Sequence, residues 1–207
     1  MKEPEPIVYI LDDDALVRTG IESLIRTIGL RTAMFSSAAE FLNAKRPEAP
    51  ACLILDVRMP GQSGLELQTE LRSAGVHIPI IFITGHGDIP MSVRAMKAGA
   101  MEFLTKPVRG QDLIDAVQKA IARDREQRIE RAGLEEIRAR FDSLTPRETE
   151  VLNLVVAGLL NKQIADELGM SELTVKTHRA HVMEKTRADS LAHLVRMSEA
   201  LRTSVQK

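Results

Sequence analysis

Five short apolar runs alternate with segments of helical periodicity through the first 122 residues. The runs are residues 7–11, 32–35, 51–56, 79–84 and 102–105. In the segment 15–29 the apolar residues recur every three or four positions, which is typical of a helix with one buried face. Because repeated strand–helix units connect by right-handed crossovers, the pattern predicts an α/β fold with a doubly wound, five-stranded parallel sheet.

Polar side chains stand at the predicted carboxyl ends of four runs. Asp12 and Asp13 follow the first run, Asp56 and Thr84 end the third and fourth, and Lys106 follows the fifth. In a parallel sheet these ends meet in one crevice. Three carboxylates could hold Mg²⁺, while the Lys106 ammonium and the Thr84 hydroxyl could bind phosphoryl oxygens. Taken singly, each residue could instead be a helix cap or a turn residue.

A charged segment follows. Residues 112–142 contain no proline, and a helix of this length would extend about 45 Å. We therefore expect a first domain at 1–122 and a helical linker at 123–142. Opposite charges alternate over 122–131, as in a solvated helix. The apolar residues further on form either a short coiled-coil seam or a face that packs on the second domain; they are Leu134, Ile137, Phe141 and Leu144.

Residues 143–207 have the pattern of a small all-α helix-turn-helix domain. Thr145 and Glu148 form a capping box at the start of one helix. A second helix is predicted at 162–168 with Asn161 as its N-cap. Gly169 ends it, and a third helix begins after Ser171, which gives the short turn of a helix-turn-helix.

The composition limits how the chain could bind DNA and whether it could cross a membrane. The net charge of −1 means that DNA affinity must come from charge placed on one face or from dimerisation. Aromatic residues make up 3%, which disfavours base stacking as the binding mode. A single cysteine, Cys52, cannot form an internal disulfide. No apolar stretch reaches the ~18 residues of a membrane span, so we expect a cytoplasmic protein with no membrane partner.

Four segments resemble the flavodoxin-like receiver domain of two-component response regulators. They are Ile10-Leu-Asp-Asp13, Leu55-Asp-Val-Arg-Met-Pro-Gly61, Ile83-Thr-Gly-His-Gly-Asp88 and Phe103-Leu-Thr-Lys-Pro107. Residues 144–148, 161–165 and 174–178 resemble the LuxR-type effector domain of the NarL/FixJ family, and the whole is most similar to FixJ/StyR-like regulators. The resemblance implies a transcription regulator that is not an enzyme beyond dephosphorylating itself.

The resemblance also implies residue roles. Asp56 would accept a phosphoryl group from a sensor histidine kinase, assisted by Thr84 and Lys106, and Thr84 and Phe103 would form the switch. Lys106-Pro107 would be a cis peptide. Phosphorylation would promote homodimerisation and binding of double-stranded promoter DNA, with RNA polymerase as a further partner. The implied Mg²⁺ ligands are Asp12, Asp13, Asp56 and the backbone carbonyl of Arg58.

On the third C-terminal helix, a period of about 100° per residue turns Lys176, Thr177 and Ala180 outward. By resemblance these three face the bases. Phosphate contacts, which position a protein without reading sequence, are implied for Lys162, Thr174, Arg179 and Lys185. The last helix, 191–201, could cover the domain's own core or form a dimer seam.

Some features depart from the family pattern or suit another class. Val108 follows Lys-Pro where an aromatic is common, and Gly85 leaves little bulk over the site. Arg58 and His86 occupy positions that tune the lifetime of the phosphoryl group in the family.

A phosphatase with an aspartate nucleophile is an alternative function, but that class needs an acidic residue at the position of Arg58. An unphosphorylated interaction module is a third possibility.

Overall fold

The computed structural model describes residues 4–85 and 89–205. Contacts divide the chain into two compact units, Met1–Arg128 and Ile129–Lys207. This division falls inside the predicted linker, so the boundaries at residues 122 and 142 stay predictions. In the described part of the chain, no helix combines the length and the apolar character that crossing a membrane requires.

Five strands of the first unit form one parallel sheet. They are β1 (Ile7–Leu11), β2 (Arg31–Phe35), β3 (Ala51–Asp56), β4 (Ile80–Thr84) and β5 (Glu102–Thr105). Their order across the sheet is β2-β1-β3-β4-β5. The predicted doubly wound parallel sheet is therefore confirmed. The order reverses between β1 and β3, which is the place where such sheets bind ligands.

Helices cover both faces of this sheet. They are α1 (Ala15–Thr27), α2 (Ala38–Asn43), α3 (Gly64–Ser73), α4 (Ile89–Lys97) and α5 (Gly110–Asp142). Side chains of β1 alternate between two cores: Tyr9 packs in the same cluster as Phe41, and Ile10 packs in a second cluster with Ile25 and Val117. Burial on both faces explains why the central strands are continuous apolar runs.

Asp124 is an exception to the predicted solvated face of residues 122–131, whose other nine residues are exposed or half-buried. Its side chain is fully buried. One carboxylate oxygen accepts a hydrogen bond from the backbone N–H of Ala51 at 2.9 Å and another from Nε of Arg128 at 2.6 Å. The carboxylate thus ties the middle of α5 to the start of β3. A charge run cannot reveal this, because the partner N–H lies 73 residues away along the chain.

The second unit is all-helical among the described residues. Beyond the end of α5 it contains α6 (Pro146–Val156), α7 (Asn161–Leu168), α8 (Glu172–Thr186) and α9 (Leu191–Val205). Val151, Ile164 and Val175 lie in its core, and Ile137 and Phe141 of α5 pack against it. The apolar side of the charged segment therefore packs on the second unit, which was the alternative to a coiled-coil seam.

Helix capping in this unit agrees with the sequence-based prediction at α6 and differs from it at α7. Thr145 and Glu148 form the predicted capping box of α6. The prediction that Asn161 caps α7 is wrong, because Leu160 is the N-cap and Gln163 accepts its backbone N–H at 2.8 Å. Asn161 is instead the first helical residue, and its side chain accepts a hydrogen bond from Arg179 at 2.6 Å.

Candidate functional site

The carboxyl ends of β1, β3, β4 and β5 bring the predicted polar residues to one edge of the sheet. Asp12 follows β1 directly, Asp56 and Thr84 are the last residues of β3 and β4, and Lys106 follows β5. Asp12, Asp56 and Thr84 are buried, whereas Asp13 is exposed. Burial of two carboxylates and a hydroxyl at a ligand-binding edge is expensive unless their polar atoms are paired.

Lys106 connects two of these carboxylates. Its Nζ lies 2.7 Å from Oδ2 of Asp12 and 3.3 Å from Oδ1 of Asp56. The side chain of Lys106 remains 24% exposed, so the ammonium reaches the buried carboxylates from the solvent side. An added anion at Asp56 would therefore meet a positive charge already in place.

The electrostatics of the cluster favour a further cation. Burial raises the pKa of Asp56; the Lys106 ammonium opposes this rise, and the neighbouring Asp12 and Asp13 add to it. Burial tends to lower the pKa of Lys106, but its hydrogen bonds and charge contacts with Asp12 and Asp56 outweigh burial and raise it. Like-charged carboxylates thus crowd Asp56, and one ammonium does not fully compensate them.

The donor set at this edge fits Mg²⁺. Asp12, Asp13 and Asp56 each offer one carboxylate oxygen, and these three atoms lie within 4.8 Å of one another. All three donors are hard oxygen atoms, which Mg²⁺ prefers over nitrogen or sulfur. Because Asp13 is exposed, water has access to one side of the cluster, and Mg²⁺ usually keeps several water ligands.

Besides Lys106, two further groups donate hydrogen bonds to Asp12, and one of them belongs to a residue that the sequence motifs do not reveal. The backbone N–H of Asp14 donates to Oδ1 of Asp12 at 2.9 Å, and Nη1 of Arg18 donates to the Asp12 backbone carbonyl at 2.6 Å. Asp14 itself caps α1 by accepting the N–H of Leu16 at 2.8 Å. The only sequence signal for Arg18 is its place one helical turn after this cap.

Gly64 is a second residue that the sequence motifs do not reveal. A Cβ at this position would lie 2.4 Å from the backbone oxygen of Asp56 and 3.1 Å from Phe82. The Gly64 N–H donates to the carbonyl of Val57 at 3.0 Å. The loop after β3 therefore folds back tightly onto Asp56, and only a residue without a side chain allows this approach.

The other residues of the first unit for which the sequence predicts a role differ in their surroundings. Phe103 is half-buried with its ring centroid 6.3 Å from that of Phe82, and Val108 packs into the second core. The predicted cis peptide at Lys106-Pro107 is present. Arg58 is exposed, two residues beyond Asp56. His86 lies outside the described residues.

An apolar stripe lies on the exposed side of α4. Ile89, Val93 and Met96 are 80%, 44% and 44% exposed. Their spacing of four and three positions places them on one face of the helix. Three large apolar side chains in one exposed row are typical of a protein-protein contact rather than of isolated surface residues.

In the second unit, α7 and α8 form a helix-turn-helix. The turn runs through Gly169, which adopts a left-handed conformation with φ of 64°, and Ser171 caps α8 by accepting the N–H of Thr174 at 3.1 Å. The predicted base-facing residues Lys176, Thr177 and Ala180 are all exposed on α8.

The four predicted phosphate contacts differ in their surroundings. Lys162 and Thr174 are exposed. Arg179 already donates to Asn161, and Nζ of Lys185 lies 2.7 Å from Oε2 of Glu148. A phosphate would have to share or displace these partners.

On α9, Leu194 is buried in the core and Leu191 is 44% exposed, so the helix covers the core and also leaves an apolar residue exposed to solvent.

Comparison with known proteins agrees with this geometry. Residues 8–118 match the response regulator receiver domain, and residues 142–198 match the family described as bacterial regulatory proteins, luxR family. The chain is 53% identical over 195 residues to nodulation protein W of Bradyrhizobium diazoefficiens, which covers 94% of this chain and 86% of that protein. It is 48% identical over 206 residues to response regulator protein TmoT of Ectopseudomonas mendocina, covering 100% and 94%.

A solved structure agrees as well. The low-resolution structure of response regulator StyR has a TM-score of 0.83 and 49% identity, covering 95% of this chain and 99% of that one. Both domains of this chain and their order along the sequence are thus those of known regulators. The chain belongs to the two-component response regulators, as a DNA-binding transcription regulator that joins a receiver domain to a LuxR-type domain.

Proposed function

We propose that Asp56 is the phosphoryl acceptor and that a sensor histidine kinase is the donor. The observation that carries this proposal is the position of the Lys106 ammonium, which contacts both Asp12 and Asp56 at the carboxyl edge of the sheet. An Asp56 oxygen forms the new bond to phosphorus while the phosphorus–nitrogen bond of the phosphohistidine breaks, and the imidazole nitrogen keeps the electron pair.

Mg²⁺ is the proposed cofactor, with Asp12, Asp13, Asp56 and the backbone carbonyl of Arg58 as its ligands. When bound, the ion supplies positive charge that lowers the repulsion between carboxylates and phosphate. Lys106 pairs with a phosphoryl oxygen from the other side, and the Thr84 hydroxyl donates to another. These residues position the reactants and neutralise charge, which is most of what phosphoryl transfer requires. Self-dephosphorylation, tuned by Arg58 and His86, belongs to the same proposal.

The proposed response is homodimerisation. Thr84 turns toward the phosphoryl group and Phe103 moves inward behind it, which changes the surface that α4 presents. The exposed stripe Ile89, Val93 and Met96 supports α4 as part of the dimer face. A local charge change that biases a two-state surface is a recurrent form of switching.

DNA binding is proposed to follow from pairing two copies of α8. Lys176 can donate to guanine, and Thr177 and Ala180 can contact thymine methyl groups in the major groove. Lys162, Thr174, Arg179 and Lys185 would contact phosphates. A dimer doubles these contacts, which compensates for the lack of a net positive charge on the chain. RNA polymerase as a partner, and a cytoplasmic location, stay predictions of the sequence.

Incubation with acetyl phosphate and Mg²⁺ tests the acceptor. The wild type should gain one hydroxylamine-labile phosphoryl group by intact-mass measurement and shift to a dimer in gel filtration. Asp56→Asn should do neither. Asp115→Asn, which removes an exposed carboxylate of α5, is the matched control and should behave as the wild type. Steady turnover of small phosphate esters, or labelling of Asp56→Asn, would refute the proposal.

A further inference from the structure

A second cluster of metal-ligand side chains lies in the DNA-binding unit, remote in sequence from the aspartates. Glu148, His178 and His181 each offer one ligand atom, and the three atoms lie within 4.8 Å of one another. Glu148 belongs to the first turn of α6, whereas the two histidines belong to α8. Their spacing of three positions places both imidazoles on the same face of that helix.

The separation between His181 and Glu148 suits a bridging ion better than a direct bond. Nδ1 of His181 lies 3.6 Å from Oε1 of Glu148, which is too long for a hydrogen bond. Two ligands of a tetrahedral Zn²⁺ ion, each about 2.0–2.1 Å from the metal, lie about 3.4 Å apart. The pair thus needs only a small adjustment to hold one ion.

His178 provides an independent sign that a partner is missing. Its Nδ1 atom is buried and has no hydrogen-bond partner among the described residues. A buried polar atom without a partner costs free energy that a ligand can recover. A half-buried imidazole beside a carboxylate and a second imidazole has the ligand chemistry of a transition-metal site.

Other contacts prepare the Glu148 carboxylate to act as a ligand through one oxygen. Its Oε2 accepts the backbone N–H of Thr145 at 2.8 Å and lies 2.7 Å from Nζ of Lys185. These bonds fix the carboxylate and leave Oε1 directed to the His181 side. Outer partners that orient a ligating carboxylate in this way are a regular feature of protein metal sites. The same contacts lower the pKa of Glu148 to about 2, so the group is ionised at neutral pH.

We propose that Glu148, His178 and His181 bind a divalent transition-metal ion of the Zn²⁺ type and that the ion links α6 to the recognition helix α8. Two imidazoles with one carboxylate suit Zn²⁺ and its neighbours, whereas Mg²⁺ and Ca²⁺ prefer all-oxygen sites. Three protein ligands leave a fourth position for water, as in other His₂Glu sites. Lys176, Thr177 and Ala180 are exposed on α8, so the ion stabilises the helix without replacing its proposed base contacts.

Calorimetric titration of the untagged, full-length chain with Zn²⁺ tests this site. Excess Mg²⁺ is kept present so that the aspartate cluster does not contribute. The wild type should bind one equivalent of Zn²⁺, and His181→Gln should raise the dissociation constant at least about tenfold. His193→Gln is the matched control, because His193 lies on α9 and pairs with Asp189 at 3.3 Å. It should bind as the wild type does.

Two further measurements separate ligation from misfolding. With Co²⁺ as the probe, the wild type and His193→Gln should show the visible absorption of a nitrogen- and oxygen-ligated ion, and His181→Gln should lose it. Far-UV circular dichroism should show the same helix content in all three proteins, and Zn²⁺ should raise Tm except in His181→Gln. Equal Zn²⁺ affinity of the wild type and His181→Gln, or absence of binding to the wild type, would overturn the proposal. Neither result depends on phosphorylation of Asp56.

Discussion

Replacing Gly64 with alanine should damage the first unit next to the proposed phosphoryl acceptor. The new Cβ would lie 2.4 Å from the Asp56 backbone oxygen and 3.1 Å from the Leu55 and Phe82 side chains. Ordinary carbon–oxygen contacts are about 3.3 Å or longer, so the backbone must move by roughly 0.9 Å. Overpacking of this kind costs about 1–3 kcal/mol, and we expect the upper part of that range because the nearest atom is backbone.

Gly20→Ala is the matched control. Gly20 lies within α1 of the same unit, and no atom of the described residues outside its own helical neighbourhood comes within 4 Å of the place that an alanine methyl would occupy. Alanine in a helix interior stabilises by about 0.5–1 kcal/mol relative to glycine. The two variants should therefore move the free energy of unfolding in opposite directions.

Urea unfolding followed by tyrosine fluorescence measures this difference in the intact chain. Tyr9 is the only tyrosine and the chain has no tryptophan, so the signal reports on the first unit alone. With an m-value of about 2 kcal/mol/M, the midpoint should fall by about 1–1.5 M in Gly64→Ala and rise by about 0.3–0.5 M in Gly20→Ala. A Gly64→Ala midpoint equal to or above that of the wild type would refute the close-approach argument.

Three further predictions concern other residues. Asp124→Asn should lower the free energy of unfolding of the first unit by about 2–3 kcal/mol, because the charged hydrogen bonds to Ala51 and Arg128 are weakened. In the same urea assay, the control Asp115→Asn, at an exposed position, should change it by less than about 0.5 kcal/mol. Lys176→Ala should weaken specific DNA binding by about 1–3 kcal/mol. Lys162→Ala should weaken binding to all DNA sequences equally, and the slope of log binding constant against log salt concentration should fall by about 1 in fluorescence-anisotropy titrations. The hydrogen bonds from Lys185 and Thr145 lower the pKa of Glu148 from 4.5 to about 2. The ionised Glu148 therefore contributes stability above pH 4.5, and this contribution is lost as the pH falls toward 2. Over this range, the Tm measured by circular dichroism should depend less on pH in Glu148→Gln than in the wild type.

The sequence predicts the first unit well because its pattern is local and repeated. A buried parallel strand must be apolar throughout, and its end must lie at the common edge, so the positions of Asp12, Asp56, Thr84 and Lys106 follow from the strands. The capping box at Thr145 is equally local. What patterns of this kind determine is which side chains share an edge or a helix face.

The unpredicted contacts join residues that are distant along the chain. Asp124 is buried because the N–H at the start of β3 needs an acceptor, and this need is invisible in a run of charges. Lys185, which was predicted to contact a phosphate, pairs with Glu148, 37 residues away. The tight approach of Gly64 to Asp56 depends on the path of a loop. Such contacts are properties of packing and not of periodicity.

The most direct test of the account compares DNA binding before and after phosphorylation. Genomic fragments selected by the phosphorylated wild type supply the duplex, and affinity is measured with acetyl phosphate and Mg²⁺ present or absent. The wild type should bind more tightly, and as a dimer, only when phosphorylated. Asp56→Asn should bind equally weakly under both conditions. If Asp56→Asn responds to acetyl phosphate as the wild type does, Asp56 is not the acceptor that controls DNA binding.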